Sequence, residues 1–556
     1  MKGGFLSGLS TQDSGLIPDW CESGRGAGPI LLIVPHGGRR PPVDAAALPP
    51  RLRVNDLYTP EVTRTLAARL DAGFIINRAL DRNVLDLNRL SQVRRHASWF
   101  LDLLVRRIDG ILARHACAEL IFVHGWNTGQ AKCDIGIGAT ETEAGLHLAD
   151  GAQLTVSEGY LRTRIAALRA ACAHAGIQAP IGERYPASHP NNLLQLFAAR
   201  EPGDEPVVRR IAEWVTQKRV EALQLELGVP LRWPGSWRER FVAAAVEALG
   251  PSRTFNVQAS PRPAPSRDSA LSTQDSALSA QHSLQFYDPV AGIGLSAGVG
   301  RIGPQVTGGR LLLFLGGQRV ALFTGEEAHA QGSSVAPLDL TGGVRFAGAM
   351  LLLDDGATYL DLEAAFSASR LVDAEVAVRF EPLGAPSLGE DQDSDVTMPS
   401  FGRMHGRVRV DRRELRVDAT GFANAGGFRA GSHGQTMIAA TFGAEHAVLS
   451  RAADGAPNAV TLHFTAAARR TLDTACLAIS TDGDAYTPAS IELTCDGQLP
   501  LVATPLTRMA ILRPAGRGRY LRVTFGVAAC RWGERAGYGL YEHARPVPSR
   551  APAARP

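Results

Sequence analysis

The chain has 556 residues, with 58 basic and 55 acidic side chains, a net charge of +3, 45% hydrophobic and 20% charged residues. That length is too great for one core and fits roughly two to four domains of about 150 residues. The near-balanced charge, with no basic helix interleaved with aromatics, argues against a nucleic-acid partner, and no apolar run reaches the ~18 residues a membrane helix needs.

Residues 1–27 read as a flexible N-terminal segment. Their apolar start turns polar at Ser10-Thr11-Gln12-Asp13, too soon for a signal peptide. The seven cysteines, at 21, 117, 133, 172, 476, 495 and 530, are scattered and odd in number, with no CxxC pair. A disulfide framework is not expected, and a cytoplasmic location is the default.

Residues 28–250 alternate strand-like and helix-like runs. Pro29 and the apolar residues through Val34 read as a buried parallel strand entering the loop Pro35-His36-Gly37-Gly38. Thr59-Pro60-Glu61 opens a helix with a cap residue, a proline in the first turn and an acid at the positive end of the dipole. Val62, Leu66, Ala67 and Leu70 give that helix its apolar face. Gly73-Phe74-Ile75-Ile76 is a second strand.

The next segment, Arg82-Asn83-Val84-Leu85-Asp86-Leu87-Asn88-Arg89, reads as a buried strand loaded with guanidinium, carboxylate and carboxamide groups. Burying that much polarity is costly unless each group is paired or serves a site. Arginine is also the side chain best shaped to hold a carboxylate with two parallel hydrogen bonds, so the segment points to an anion pocket.

Residues 101–116 form another amphipathic helix, and 119–123 form a third strand ending at His124-Gly125. Residues 160–175 and 205–220 read as helices, and 222–227 as a further strand. This rhythm predicts an α/β domain with a mostly parallel sheet covered on both faces. Residues 251–283 form a low-complexity linker in which Asp268-Ser269-Ala270-Leu271-Ser272 is nearly repeated from Asp275. From 284 to 556 the strand-length runs at 310–317, 318–323, 407–411 and 414–418, broken by Gly-, Asp- and Asn-rich turns, predict an antiparallel all-β barrel or sandwich region of two units.

Sites in open α/β sheets gather at the carboxyl ends of the strands. His36 and His124 occupy two such loops, each beside glycine, and Asp56 and Glu61 flank the start of the first helix. Two imidazoles and one carboxylate are the ligand set of a catalytic zinc that keeps an open position. Such an ion brings a water into nucleophilic range near neutral pH. Glycine beside histidine lets the backbone crowd a ligand, and the repetition of that pattern favours the metal reading over ordinary loop histidines. His115, His147, His174 and His189 lack it and are expected on the surface. Glu61 also suits a helix dipole, and Asp56 a capping position. Glu226 lies in the apolar string 223–227. Buried, it would have a raised pKa suited to proton transfer; the alternative is a strand whose wet face carries Gln224 and Glu226.

At these residues the chain resembles the N-formylglutamate amidohydrolase family, within the zinc-carboxypeptidase and aspartoacylase-like group. The likeness rests on Pro35-His36-Gly37-Gly38, Asp56-Leu57-Tyr58-Thr59, the octapeptide 82–89, His124-Gly125 and Gln224-Leu225-Glu226-Leu227-Gly228, in that order over roughly 28–235. The resemblance implies a zinc-carboxypeptidase-like fold with one Zn2+ held by His36, His124 and either Asp56 or Glu61. It implies Arg82 at the scissile carbonyl, and Asn88 and Arg89 at a substrate carboxylate, with Asp86 orienting them. Glu226 would activate the attacking water and then protonate the leaving amine. Gly125-Trp126-Asn127-Thr128-Gly129 and the stretch 133–138 depart from the family's pattern and are expected to line the pocket. In the second half, His405-Gly406-Arg407-Val408-Arg409-Val410-Asp411 and residues 414–421 weakly resemble lipocalin-like double barrels, and no catalytic residues are expected there.

The leading expectation is a zinc-dependent amidohydrolase of an N-acyl amino acid or similar small carboxylate. Its alternatives are a peptidase or amidase of a larger substrate, and a non-catalytic protein whose barrel holds an apolar ligand.

Overall fold

The computed structural model describes residues 17–40, 53–148, 152–198, 205–250 and 282–547, the last range apart from short stretches of which 329–337, 384–399 and 425–434 are the longest. Residues 1–16 and most of the expected linker, 251–281, lie outside the described residues.

The first half runs β1 (Cys21–Gly24), β2 (Ile30–Val34), α1 (Thr59–Leu70), β3 (Gly73–Asn77), α2 (Leu90–His96), α3 (Ser98–Leu112), β4 (Ala118–Gly125) and β5 (Cys133–Gly136). A hairpin of β6 (Ala139–Thr142) and β7 (Gly145–Leu148) follows, then α4 (Glu158–Tyr160), a π-helical turn (Leu161–Ile165) and α5 (Ala166–His174). The half ends with α6 (Pro206–Thr216), β8 (Val220–Leu227), α7 (Val229–Arg232) and α8 (Ser236–Leu249).

Six of these strands form one sheet in the order β1-β3-β2-β4-β8-β5. The four central strands are parallel, and β1 and β5 close the two edges antiparallel. Every residue of β2 and β8 is buried, as parallel strands covered on both faces require. One face carries Val62, Leu66, Leu168, Phe241 and Ala245 from α1, α5 and α8. The other carries Phe100, Leu104, Ile108, Ile211 and Trp214 from α3 and α6.

Two local expectations change. Residues 21–24, placed in the flexible segment, are an edge strand whose Cys21 pairs with Asn77. Residues 82–89 are a chain of turns, not a strand. Asp81 is the physical reason: its Oδ1 accepts the Asn83 N–H at 3.0 Å, and its carbonyl accepts the Val84 N–H at 2.9 Å. A short polar side chain that satisfies local donors competes with ladder pairing. Leu85 and Leu87 still point into the core while Val84 is exposed.

The second half is antiparallel apart from one two-residue parallel pairing, Thr358 and Tyr359 with Ala510 and Ile511. Its first unit comprises β9 (His282–Asp288), β10 (Ile293–Gly303), β11 (Val306–Leu315), β12 (Arg319–Ala328), β13 (Leu338–Asp339), β14 (Gly343–Asp354), β15 (Thr358–Tyr359), α9 (Leu362–Ala368), β16 (Arg370–Pro382), β17 (Ser400–Val410) and β18 (Arg413–Asn424). The path β12-β11-β10-β9-β18-β17-β16-β14 closes through a β12–β14 pairing into a barrel, with β13 attached to β14. Side chains alternate across its wall. Leu295, Leu313, Val376 and Met404 pack in one cluster, and Leu312, Phe314, Leu322 and Leu351 in another.

The remaining strands are β19 (Gln435–Phe442), β20 (Glu445–Ala452), β21 (Val460–Phe464), β22 (Ala468–Leu472), β23 (Ala475–Thr481), β24 (Pro488–Cys495), β25 (Leu501–Pro514), β26 (Tyr520–Trp532) and β27 (Arg535–Val547). Seven of them form a sheet in the order β20-β19-β27-β26-β25-β24-β23, with β15 pairing β25, and β21 and β22 make a separate hairpin. Val523, Phe525 and Val527 of this sheet meet Leu312 and Phe314 of the barrel, and Leu57, Val229 and Trp233 of the α/β half join the same cluster. The two halves therefore meet in one shared apolar cluster, beside the separate cores of each. Among the described residues no helix is long and apolar enough to cross a membrane.

Candidate metal centre and its cavity

β2 ends one residue before the turn that carries His36, and β4 carries His124 at its carboxyl end. The two strands are parallel neighbours, so their ends bring both imidazoles to one edge. Asp56 arrives from the segment before α1, where its backbone N–H donates to the His36 carbonyl at 2.8 Å and its own carbonyl accepts the Thr59 hydroxyl at 2.6 Å. His36 Nδ1, His124 Nδ1 and Asp56 Oδ2 form a triangle with edges of 3.2, 3.2 and 3.3 Å. Four ligands at about 2.0–2.2 Å around a tetrahedral ion stand about 3.3–3.6 Å apart, so the triangle has nearly the size such an ion asks for.

Protonation makes the same point. His36 Nε2 lies 2.6 Å from Asp86 Oδ1, which assigns its proton to Nε2 and leaves the Nδ1 lone pair facing the triangle. Asp56 presents a carboxylate oxygen there as well. The His36 lone pair and the Asp56 carboxylate converge with His124 Nδ1 in a buried space, where a shared cation or proton is needed to hold them. Burial, then the neighbouring His36 and Arg82, outweigh Asp56 and push the His124 pKa down to about 4, keeping that ring neutral. Burial raises Asp56, but the polar contacts of the His124 and His36 rings and the Arg82 charge hold it well below the usual carboxylate range. Asp86 is likewise held low: burial opposes, and the adjoining His36 ring, the Arg82 charge and the Asn88 N–H prevail. The donor set and its backing carboxylate fit a divalent metal ion.

Of the two acids left open by the sequence, Asp56 is in this group and Glu61 is not. Glu61 sits in the first turn of α1, with a buried carboxylate oxygen that has no hydrogen-bond partner among the described residues.

A cavity of about 360 Å³ opens on the triangle. His36, Asp56, Arg82, Asp86, Asn88, Arg89, His124 and Glu226 all line it, so the octapeptide and the late glutamate meet the histidines. Arg82 Nη1 donates to Asp56 Oδ1 at 3.2 Å, which turns the other carboxylate oxygen toward the imidazoles. Its Nε is buried without a partner among the described residues, as is Asn88 Oδ1. Gln224 and Glu226 share a strand face, and that face looks into the cavity, so the wet-face alternative does not apply. Gln224 Nε2 donates to Glu226 Oε1 at 2.8 Å. Burial, then Asp56 and Asp134, push the Glu226 carboxyl well above its ordinary range against Arg82 and Arg232.

The glycines beside the histidines have a different cause from the one expected. A Cβ on Gly38 would strike the Leu80 carbonyl, and one on Gly125 would strike the Arg232 guanidinium. They make room for the protein's own backbone and for Arg232. That arginine is fully buried and went unnoticed in the sequence. Its Nη1 donates to the Leu57 carbonyl at 3.0 Å, and its Nη2 to the Trp126 carbonyl at 3.1 Å and to Asn127 Oδ1 at 3.0 Å. It thus ties the strand end bearing His124 to the segment bearing Asp56. Burial lowers its pKa to about 10, with Asp56 and Glu226 opposing. A lone arginine inside Pro230-Leu231-Arg232-Trp233 is the same signal that singled out residues 82–89.

The wall opposite the octapeptide also differs from expectation. Of residues 125–129 only Gly125 lines the cavity. Trp126 is buried, and the Gly129 carbonyl accepts the Ala349 N–H at 3.4 Å, so this stretch docks on the barrel. Residues 133–136 are the edge strand β5, whose Asp134 accepts the N–H groups of Glu183, Arg184 and Tyr185 at 2.9, 2.8 and 2.7 Å. The loop so anchored supplies Arg184, Tyr185, Ala187 and Ser188 to the cavity, along with His189, which is exposed as expected yet stands at the cavity's edge. Ala187 takes φ 58, a left-handed conformation uncommon for a residue with a Cβ. No periodicity announces this loop, because its anchor is an acid about fifty residues away in sequence.

No known protein-family profile matches the chain, and no curated protein does. Among solved structures it is similar to an N-formylglutamate amidohydrolase from Ralstonia eutropha (12% identity, 41% of this chain and 96% of that one, TM-score 0.29). It is also similar to a putative AttH from Nitrosomonas europaea (13%, 48% and 90%, TM-score 0.30) and to kievitone hydratase from Nectria haematococca (11%, 48% and 88%, TM-score 0.32). Likenesses this partial carry no argument, and the chemistry rests on the geometry above.

Proposed function

We propose that the chain is a metal-dependent amidohydrolase that cleaves the amide bond of an N-acyl amino acid or a similar small carboxylate, on an α/β domain of the zinc-carboxypeptidase-like kind. The observation that carries this reading is the near-equilateral triangle of His36 Nδ1, His124 Nδ1 and Asp56 Oδ2 at the floor of a cavity that also holds Glu226 and Arg82.

His36, His124 and Asp56 would hold the ion. A divalent zinc there supplies Lewis acidity and brings water into the nucleophilic range near neutral pH. The chain's own residues do the rest. Glu226 takes a proton from the attacking water on a carboxylate oxygen and returns it to the leaving amine nitrogen. Arg82 donates to the scissile carbonyl oxygen as negative charge develops on it. Arg89 and Asn88 hold the substrate carboxylate, and Asp86 fixes the His36 tautomer and the neighbouring backbone. A cavity of about 360 Å³ suits a small acyl amino acid better than a long chain.

Metal analysis of the unmodified protein and of His36→Ala, with hydrolysis of short N-acyl amino acids, tests the proposal. One zinc per chain and turnover are expected in the former, with neither in the variant. Equal, stoichiometric zinc in both would overturn it.

A further inference from the structure

None of the described residues of the β-rich half lines the cavity, yet one of its carboxylates reaches the segment that carries a metal ligand. α9 leaves the strand framework after β15 and places Glu363 against the α/β half, with its side chain only 5% exposed. Its Oε2 accepts the Asn55 N–H at 3.0 Å, Asn55 Nδ2 donates to Oε2 at 3.0 Å and to Oε1 at 3.2 Å, and Oε1 accepts the Arg40 N–H at 2.9 Å. Arg40 Nη2 lies 3.5 Å from the same carboxylate. These partners are 308 and 323 residues away in sequence.

Asn55 is the residue before Asp56 and is 1% exposed. Its Nδ2 also donates to Asp81 Oδ1 at 2.9 Å, and its Oδ1 accepts the Arg82 N–H at 3.0 Å. Arg40 Nε donates to Asp81 Oδ2 at 3.3 Å. Every polar atom of the Asn55 side chain is thus spent on tying the Asp56 segment to the turn that carries Arg82, and Glu363 closes this network from outside. A buried network of this kind rigidifies what it spans only when each member is satisfied; removing the carboxylate strands two backbone donors and one hydrogen of the Asn55 carboxamide.

We propose that Glu363 is a positioning residue of the metal centre: through Asn55 and Arg40 it holds Asp56 and Arg82 in register, so the α/β half relies on the β-rich half to complete its site. The inference rests on the metal reading above. It differs from a purely adhesive role for α9, which Phe366 on the same helix fills by packing on Trp233 with ring centres 6.1 Å apart.

Zinc titration of metal-stripped, full-length protein separates these roles, combined with amide hydrogen exchange at residues 54–57 before zinc is added. Glu363→Ala is expected to raise the zinc Kd about 10–100-fold, the range seen when a group behind a ligand is lost, and to speed exchange at Asn55 and Asp56. Glu363→Gln keeps the shape and one acceptor, so it should fall between, and it carries the test by the same readouts if the alanine variant does not fold. Phe366→Ala should lower the melting temperature while leaving the zinc Kd unchanged. Unaltered zinc affinity and exchange in the Glu363 variants overturns the proposal, as does an equal loss of affinity in Phe366→Ala. If the unmodified protein takes no zinc, the proposed function fails, while exchange at residues 54–57 still decides whether Glu363 orders that segment.

Discussion

In the α/β half, His36, Asp56, Asp86, His124, Glu226 and Arg232 are all buried, and their polar atoms turn toward one cavity or toward the backbone that frames it. In the β-rich half, Arg403 pairs with Asp418, and Arg407 and Arg409 with Glu375, across neighbouring strands in water. The residue types are the same and the physics is opposite. Exposed cross-strand pairs gain little from their charges, because water and salt screen them. Buried charges are costly unless they satisfy each other or a ligand, so their persistence in one place marks a site. Glu363 breaks the division: it is a buried carboxylate of the β-rich half whose described hydrogen-bond partners belong to the other half.

The contrast can be broken at graded cost. The largest effect is expected from Glu226→Gln, which keeps the shape and removes the proton carrier. Zinc content should stay at one per chain while kcat/KM for a short N-acyl amino acid falls about 10²–10⁴-fold. Undiminished turnover would remove Glu226 from the chemistry. Asp86→Asn should weaken zinc binding about 10–100-fold in a competition titration, because the His36 tautomer loses its carboxylate partner. Arg232→Met should lower unfolding free energy by about 1–3 kcal/mol in a denaturant titration, since the Leu57 and Trp126 carbonyls lose a buried donor. At the other extreme, Arg403→Ala should leave both melting temperature and zinc affinity where they were. A loss of zinc there would mean that the surface charges of the barrel feed the site after all.

Much of the layout is legible in the chain. The apolar strings at β2, β4 and β8 and the Thr59-Pro60-Glu61 helix start mark their elements because burial on both faces and helix-end chemistry leave direct compositional traces. The octapeptide 82–89 is informative for the right reason and in the wrong conformation: Leu85 and Leu87 are buried, but the Asp81 side chain outside the window turns the chain and leaves Val84 exposed. His36, Asp56, His124, Arg82 and Glu226 are each visible as residue types in telling places, and the choice between Asp56 and Glu61 is not. That choice depends on how the segment before α1 folds back onto His36, through a backbone hydrogen bond no local pattern encodes.

Sequence alone determined which strands are buried, where the first helix begins, that the architecture changes between the two halves, and which side chains were too polar for their surroundings. These follow from short-range periodicity and from the cost of hiding charge. Only the tertiary structure decided that Asp56 joins the two histidines, that Asp134 hangs the loop at 183–185 over the cavity, and that Arg232 and Glu363 brace the segments bearing His124 and Asp56. Each of those contacts spans from about twenty to more than three hundred residues. Long-range pairing is set by how packed layers meet, a property of the whole fold that no window of sequence contains.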